Sequence, residues 1–255
     1  MAVSRQLETP VTLGRWLGDQ VRLGLIALAT DHSSECELWQ MAPSGEVELF
    51  VNRVLNHNPT TVENLRAMAP GLTDAASVLL PGSPLDALIY SCTSGTAVIG
   101  ADEVTRRLQQ AKPGVPCTTP LTAAAAAFEA LAVSEVAVMT PYVEEVNKTI
   151  HESLVSAGVN IRAFKSFGIE SDVDMAMLPA ATLLDAAVET NVADAQALFI
   201  SCTALRTVGI VERLEERLGK PVVTSNQAMF WHALRLAGYH KPIDGFGQLM
   251  RTTKL

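Results

Sequence analysis

Two cysteines stand at matched places in this chain. Cys92 is the penultimate residue of the run Asp86-Ala-Leu-Ile-Tyr-Ser-Cys-Thr93, and Cys202 that of Gln196-Ala-Leu-Phe-Ile-Ser-Cys-Thr203. A short apolar run followed by Ser-Cys-Thr reads as a buried strand that delivers a thiol to the start of a helix. The carboxyl ends of strands are where ligands bind in open α/β sheets. Unpaired N–H groups and partial positive charge at a helix N-terminus lower a thiol's pKa, so Cys92 and Cys202 are expected to be reactive. A lone cysteine there reads more readily as a small core residue. Two at equivalent places would face each other across a cleft, and that pairing favours chemistry. Thr93, Ser94 and Thr203 add hydroxyl donors for a carboxylate.

The elements that must position these thiols follow from a repeat. The two cysteine segments are offset by 110 residues. Downstream, Gly114-Val-Pro-Cys-Thr-Thr119 reads against Gly219-Lys-Pro-Val-Val-Thr224, and Ala123 against Ala228. Two copies are too few for a solenoid, so two similar halves about a pseudo-two-fold axis are expected. Near-continuous apolar runs predict strands at 22–28, 47–51, 85–90, 136–139, 160–164, 197–200 and 222–224. Strands of this kind are buried on both faces of a parallel sheet. Between them, helical patterns cover 61–80, 96–110, 122–131, 143–157, 175–190, 203–218 and 227–237, with Gly158 and Gly219 placed as C-caps. The expected fold is α/β: two pseudo-symmetric, doubly wound parallel-sheet domains with the active site in the cleft between them. The chain is expected to return to its first domain at the end. That gives residues 1–118 with 226–255 as the first domain and 119–225 as an inserted second.

Composition narrows the function classes. Of 255 residues, 48% are hydrophobic and 18% charged, which supports a packed core rather than disorder. The formal net charge is −8, with no basic run, and aromatics are 5%, so no nucleic-acid partner is expected. No uninterrupted apolar stretch of membrane-spanning length occurs, so no membrane association is expected. The first residues, with Arg5, Glu8 and Arg15, lack an apolar signal core. Cys36, Cys92, Cys117 and Cys202 form no close pair, which argues against a zinc knuckle or a disulfide framework and fits free thiols in a reducing cytoplasm. Cys36 and Cys117, without counterparts in the other half, read as buried residues. No glycine-rich phosphate loop appears, so nucleotide use is not expected.

Several segments carry a family resemblance. Ser91-Cys-Thr-Ser-Gly95, Thr140-Pro-Tyr142 with Asn147, Ser201-Cys-Thr-Ala-Leu-Arg206, Pro221-Val-Val-Thr-Ser-Asn-Gln-Ala228 and Trp231-His-Ala-Leu234 resemble the maleate cis–trans isomerase branch of the aspartate/glutamate racemase superfamily. Leu25-Ile-Ala-Leu-Ala-Thr-Asp31, Phe50-Val-Asn-Arg-Val54 and Val62-Glu-Asn-Leu-Arg-Ala-Met-Ala-Pro70 are most similar to ectoine-utilisation A proteins. The resemblance implies cofactor-independent chemistry with Cys92 and Cys202 on opposite faces of the substrate. Arylmalonate decarboxylases share the fold but use a single cysteine in the second half, so the presence of both points away from decarboxylation. Maleate isomerases hold a carboxylate with an asparagine after the first strand, matched here by Asp31. A second such asparagine falls in the loop matched to Ile169-Glu-Ser-Asp-Val-Asp174, which offers Ser171, Asp172 and Asp174. Carboxylates in a dicarboxylate site repel the substrate, so a substrate with an amine or other cation fits an Asp31 site better, with Asp172 as a further substrate-binding candidate. Ectoine-derived intermediates, built on 2,4-diaminobutyrate, agree. Tyr142, after a strand, is placed to donate to a substrate carboxylate.

Weaker signals have plainer readings. Asp31-His-Ser-Ser-Glu-Cys-Glu37 gathers groups that can ligate zinc, but a polar loop opening a helix, capped by Asp31 or Ser33, explains them without a metal. His232, beside Trp231, reads as structural. Asn56-His-Asn-Pro59 reads as a turn.

The expected function is a cofactor-independent, two-cysteine isomerase or racemase for a small carboxylic acid, with an amino-acid derivative of ectoine catabolism as the candidate substrate. In a racemase one thiolate removes the α-proton and the opposite thiol returns one to the other face. In a cis–trans isomerase the Cys92 thiolate adds to the alkene, the bond rotates and the thiolate leaves, with Cys202 as proton donor. Maleate isomerase proper, a non-catalytic small-acid-binding protein on the same scaffold and a redox protein using a Cys92–Cys202 disulfide are the alternatives. The partner is a small carboxylate, and a homo-oligomer is compatible with the sequence.

Overall fold

In a computed structural model, residues 9–10 and 20–254 are described; the charged residues Arg5, Glu8 and Arg15 lie outside them. The first half runs β1 (Val21–Leu28), α1 (Ser34–Met41), β2 (Val47–Val54), α2 (Val62–Ala67), α3 (Leu72–Ser77), β3 (Ala87–Tyr90), α4 (Thr93–Ile99), α5 (Ala101–Ala111) and β4 (Cys117–Thr118). It continues into α6 (Pro120–Ala130). The second half runs β5 (Glu135–Thr140), α7 (Glu144–Ser156), β6 (Asn160–Ser166), α8 (Asp172–Ala176), α9 (Ala180–Thr190), β7 (Ala197–Ile200), α10 (Val211–Leu218) and β8 (Val222–Thr224). Two helices close the chain, α11 (Ser225–Leu236) and α12 (Gly247–Arg251).

Each half builds a four-stranded, all-parallel sheet, in the orders β2-β1-β3-β4 and β6-β5-β7-β8. The two orders are the same once the halves are superposed in sequence, which is the repeat made visible. The pairing agrees too: Ile26 sits beside Tyr90 in one sheet and Met139 beside Ile200 in the other, so β3 and β7 lie centrally. Both are buried along their whole length, as near-continuous apolar strands require. Each therefore carries its cysteine out of the middle of a sheet, at the carboxyl edge.

All seven expected strands are present, and β4 is a two-residue addition too short for a pattern. The helices are more broken than periodicity suggests. The span 61–80 divides into α2, a 3₁₀ turn at Ala69–Gly71 and α3, because Pro70 has no N–H to continue the ladder. The span 96–110 starts earlier, at Thr93, and breaks at Gly100, whose φ of +93° suits glycine. Pro179 separates α8 from α9. Gly219 ends α10 in the left-handed region, as expected of a C-cap.

The largest departure follows Cys202. Residues 203–207 are not helical; a 3₁₀ turn begins at Val208 and α10 only at Val211. The backbone there is claimed by other groups. Ala204 O accepts from Ser33 Oγ at 2.7 Å, Thr203 O from Asn226 Nδ2 at 3.0 Å, and Val208 N–H donates to Glu37 at 2.8 Å. α11 starts with a capping box between Thr224 and Gln227 and packs on α6, α1 and β3. It is buried on all sides, from Ser225 to Arg235. Among the described residues no helix is long and apolar enough to cross a membrane.

Candidate active site

Cys92 is the N-cap of α4. Its Sγ accepts the Gly95 N–H at 3.1 Å and lies 3.6 Å from Ser94 Oγ. Cys202 sits in the irregular turn after β7, where Ala204 N–H reaches its Sγ at 3.3 Å. Both cysteines are 3% exposed, which decides their chemistry. Burial pushes Cys92 up to about 11, against hydrogen bonds from Ser94, Gly95 and Tyr90 that favour the thiolate. Burial pushes Cys202 up to about 12, against Tyr142 and Ala204. The charge of Asp172 raises both. The expected pKa lowering is therefore overturned. Desolvation of the charged form outweighs the few donors present, and Cys202 has no helix behind it.

The two thiols line one narrow, nearly closed cleft between the halves, with a cavity volume of about 20 Å³. Asp31, Ser94, Tyr142, Asp172 and Thr203 line the same cleft, with Leu28 and Ala204. Sequence reasoning thus brought nearly all of its candidates to one place. Thr93 is the exception: it is not part of the lining, and its hydroxyl is paired with Ser225 Oγ on α11 at 2.9 Å. Among the described residues no lysine or arginine lines the cleft. Arg206 lies outside it, with its guanidinium on the carbonyl of His32 at 3.3 Å.

Both cleft carboxylates are held by donors. Asp31 Oδ1 accepts the N–H groups of Ser33 and Ser34 at 2.7 and 2.9 Å, so Asp31 caps the start of α1. Its Oδ2 accepts from Ser34 Oγ, and Ser34 Oγ in turn lies 2.7 Å from Ser91 Oγ, beside Cys92 in the chain. Asp172 comes from the second half but is gripped by the first. Its Oδ2 accepts from Thr30 Oγ1 at 2.6 Å and Asn56 Nδ2 at 2.9 Å, and its Oδ1 accepts from Thr60 Oγ1 at 2.8 Å.

Tyr142 is buried, and its hydroxyl interacts with Cys202 and Ser94, bridging the two thiol environments. Asn147 holds it there by donating to the Tyr142 carbonyl at 2.8 Å. Tyr90 was not anticipated. Its buried hydroxyl interacts with Cys92, so each thiol has a phenol neighbour. The signal was present in the repeat, where Tyr90 replaces the apolar Ile200 at the end of the strand.

The remaining expectations divide. Cys36 is exposed rather than buried, because it lies on the outer face of the short helix α1; Cys117 is half-buried. His232 is structural: it is buried, bonded through Nδ1 to Thr118 Oγ1 at 2.7 Å, and pushed down to about 4 by desolvation. Among the described residues no cluster of three or more histidine, cysteine or acidic side chains could hold a metal ion.

Comparison with known proteins fits this geometry. The family model for arylmalonate decarboxylase matches residues 94–250. The chain belongs to that family. The matched span contains Cys202 and begins just after Cys92. The arylmalonate decarboxylase of Bordetella bronchiseptica is 38% identical over 139 residues, covering 53% of this chain and 58% of that protein. The chain thus aligns with little more than half of that relative. The maleate isomerase of Nocardia farcinica is 24% identical over 241 residues, covering 90% of this chain and 95% of that protein. The structure of a cysteine-to-serine variant of the Nocardia farcinica maleate cis–trans isomerase, carrying a covalently bound succinylcysteine intermediate, superposes with a TM-score of 0.82 at 21% identity. That superposition covers 91% of this chain and 98% of the other. These relatives are named as decarboxylases and isomerases, and the chain shares the two-domain α/β fold of their structures.

Proposed function

We propose that the chain is a two-thiol isomerase acting on a small carboxylic acid that also carries a cationic group. The observation that carries this reading is the content of the cleft: two thiols, two carboxylates, and no lysine or arginine among the described residues. A dicarboxylate would enter a site already holding Asp31 and Asp172, without a cation to receive it. At about 4 Å and an effective dielectric near 20, each like-charge contact costs roughly 4 kcal/mol before screening. An ammonium reverses the sign. It also relieves Asp172's pressure on both thiols, so substrate binding itself helps one thiolate to form. The substrate carboxylate is left to the hydroxyls of Ser94, Tyr142 and Thr203.

The reaction follows from one thiol on each side. The thiolate on one face removes the α-proton, leaving an enolate whose oxygens the hydroxyls stabilise. The thiol on the other face then donates its proton to the same carbon. Stereochemistry inverts, and the protonation states of Cys92 and Cys202 exchange. The resemblance to ectoine-utilisation A proteins supports an amino-acid derivative of ectoine catabolism, handled in the cytoplasm. The domain division at 1–118 with 226–255 against 119–225 belongs to the same proposal. It is supported by the packing of α11 on α1 and β3, and it makes the cleft an inter-domain site.

A second reading, cis–trans isomerisation of a maleate-like alkene, is favoured by the succinylcysteine described for the Nocardia farcinica enzyme. There Cys92 would add to the double bond and Cys202 would protonate the carbanion. Incubation in D₂O with aspartate, 2,4-diaminobutyrate derivatives and maleate, followed by NMR, separates the two. Deuterium at Cα of an amino acid, with little fumarate from maleate, is expected. Rapid fumarate formation with no amino-acid exchange would overturn the racemase reading.

A further inference from the structure

Glu37 is a buried carboxylate that the reaction above does not use. It sits on α1, in the first half, and faces the turn that carries Cys202. Its Oε1 accepts Val208 N–H at 2.8 Å, and its Oε2 accepts Asn226 Nδ2 at 2.7 Å. The same Asn226 Nδ2 reaches the Thr203 carbonyl at 3.0 Å. Glu37 therefore grips both ends of the 203–208 segment, directly at Val208 and through Asn226 at Thr203. This matters because the segment has no helix to hold it. The first copy of the repeat needs no such device, since α4 follows Cys92 immediately.

We propose that Glu37 is the positioning residue for Cys202, a first-half carboxylate that fixes the second-half thiol in the cleft. It rests on the two-thiol reading for its purpose, but not for its geometry. Only N–H donors converge on the two oxygens, so the ionised form satisfies them all. Protonation turns one oxygen into an O–H, which cannot accept from its donor as before, and the grip loosens. Burial lifts Glu37 to about 7, so this change falls near neutral pH. Among charged groups Asp31 acts on it, in the same direction as burial, while α11 and the turn meet it with N–H donors from Asn226, Thr207 and Val208.

The test is the ratio of alkylation rates at Cys202 and Cys92, read by peptide mass spectrometry between pH 5.5 and 8.5. The ordinary rise of thiolate with pH is common to both and cancels. In the wild type the ratio is expected to change several-fold with a midpoint near 7. In Glu37→Gln, which keeps the size but offers one acceptor, it should be flat with pH. At pH 8 it should also differ from wild type by roughly tenfold, the scale of one lost hydrogen bond to a charged group. A merely structural residue would move both rates together and leave the ratio unchanged. A wild-type ratio flat across this range would overturn the proposal, and so would a Glu37→Gln ratio that tracks wild type. The wild-type series needs no variant, so poor folding of Glu37→Gln leaves a decisive measurement. Alkylation needs no turnover, so failure of the isomerase reading would appear separately, in the D₂O assay.

Discussion

Asp172 and Asn56, 116 residues apart in the chain, meet across the two halves, with Asn56 Nδ2 donating to Asp172 Oδ2 at 2.9 Å. The contact does two things at once. It ties the second half's cleft loop to the first half, and it parks a negative charge near both thiols. Thr60 N–H reinforces the tie by donating to Glu170 O at 2.8 Å.

Asp172→Asn separates these two roles. The amide oxygen can keep the bonds from Thr30 and Asn56, and its NH₂ can donate to Thr60 Oγ1. The loss of stability should be about 1 kcal/mol. The charge is gone, so Cys92 and Cys202 should both titrate lower. At a fixed pH their alkylation should accelerate by roughly tenfold, which corresponds to about one pKa unit. Mass spectrometry of labelled peptides reads this, with Cys36 as internal reference. Unchanged rates would show that the charge does not reach the thiols.

The raised thiols have a consequence for stability. Cys92, Cys117 and Cys202 are all pushed above the ordinary value of 9.0, to about 11, 11 and 12. Between pH 9 and 11 the unfolded chain loses these protons while the folded chain keeps them. The folded state then binds more protons, so unfolding becomes easier as pH rises. The melting temperature should be steady up to about pH 8.5 and then fall steeply. The fall should be visibly shallower in Cys202→Ser. At neutral pH without substrate, exposed Cys36 should be alkylated first, the reverse of what the helix N-terminus argument suggests.

Cys92→Ser and Cys202→Ser should each abolish more than about 99% of turnover, the loss expected on removing one acid–base group. Neither should unfold the protein. Serine at position 92 remains a good N-cap and can still accept the Gly95 N–H. In a two-thiol racemase each single variant keeps the opposite group, so it should still exchange the α-proton of one enantiomer in D₂O. Full turnover in either variant would end the two-thiol mechanism.

Gly95→Ala tests how tightly the Cys92 pocket is built. A Cβ there would lie 2.4 Å from the Tyr90 hydroxyl, 2.9 Å from Cys92 Sγ and 2.9 Å from Met68 Cε. Something must shift, and a destabilisation of about 1–3 kcal/mol is expected, with displacement of the thiol and loss of activity. Gly209→Ala is the control, since nothing lies within 4 Å of its added carbon. Calorimetry of the two variants should differ clearly; equal melting points would mean that the pocket yields without cost.

The sequence made the central strands and their cysteines legible because buried parallel strands are continuous apolar runs, and β7 and β8 were placed to the residue. Asp31, Tyr142, Asp172 and both thiols were legible through repeat and resemblance. What escaped were properties set by tertiary contact. The non-helical turn after Cys202 is held by Ser33, Glu37 and Asn226, which lie far away in sequence. The high thiol pKa values arise from burial, which no motif displays. Thr93 looked like a cleft donor because of its neighbour, yet its hydroxyl finds Ser225 instead.

Asp31→Asn isolates the charge that distinguishes this cleft from a dicarboxylate site. The substitution suits the local structure. The remaining oxygen can keep the N–H bonds of Ser33 and Ser34, which cap α1. The new NH₂ can donate to Ser34 Oγ, which then gives its own proton to Ser91 Oγ at 2.7 Å. A change in folding stability beyond about 1 kcal/mol is therefore not expected. Substrate preference should move far more. An ammonium loses an attractive partner, and a second carboxylate loses a repulsive one. Even one third of the roughly 4 kcal/mol contact energy is about a tenfold change in affinity in each case. KM for an amino-acid substrate should rise by about that factor, while maleate binding should tighten by a similar one, so the ratio of the two shifts by roughly a hundredfold. Steady-state kinetics and calorimetric titration of both proteins with aspartate, 2,4-diaminobutyrate derivatives and maleate measure it. If wild type turns over maleate efficiently and Asp31→Asn barely alters it, charge does not select the substrate, and the cleft belongs to a plain maleate isomerase.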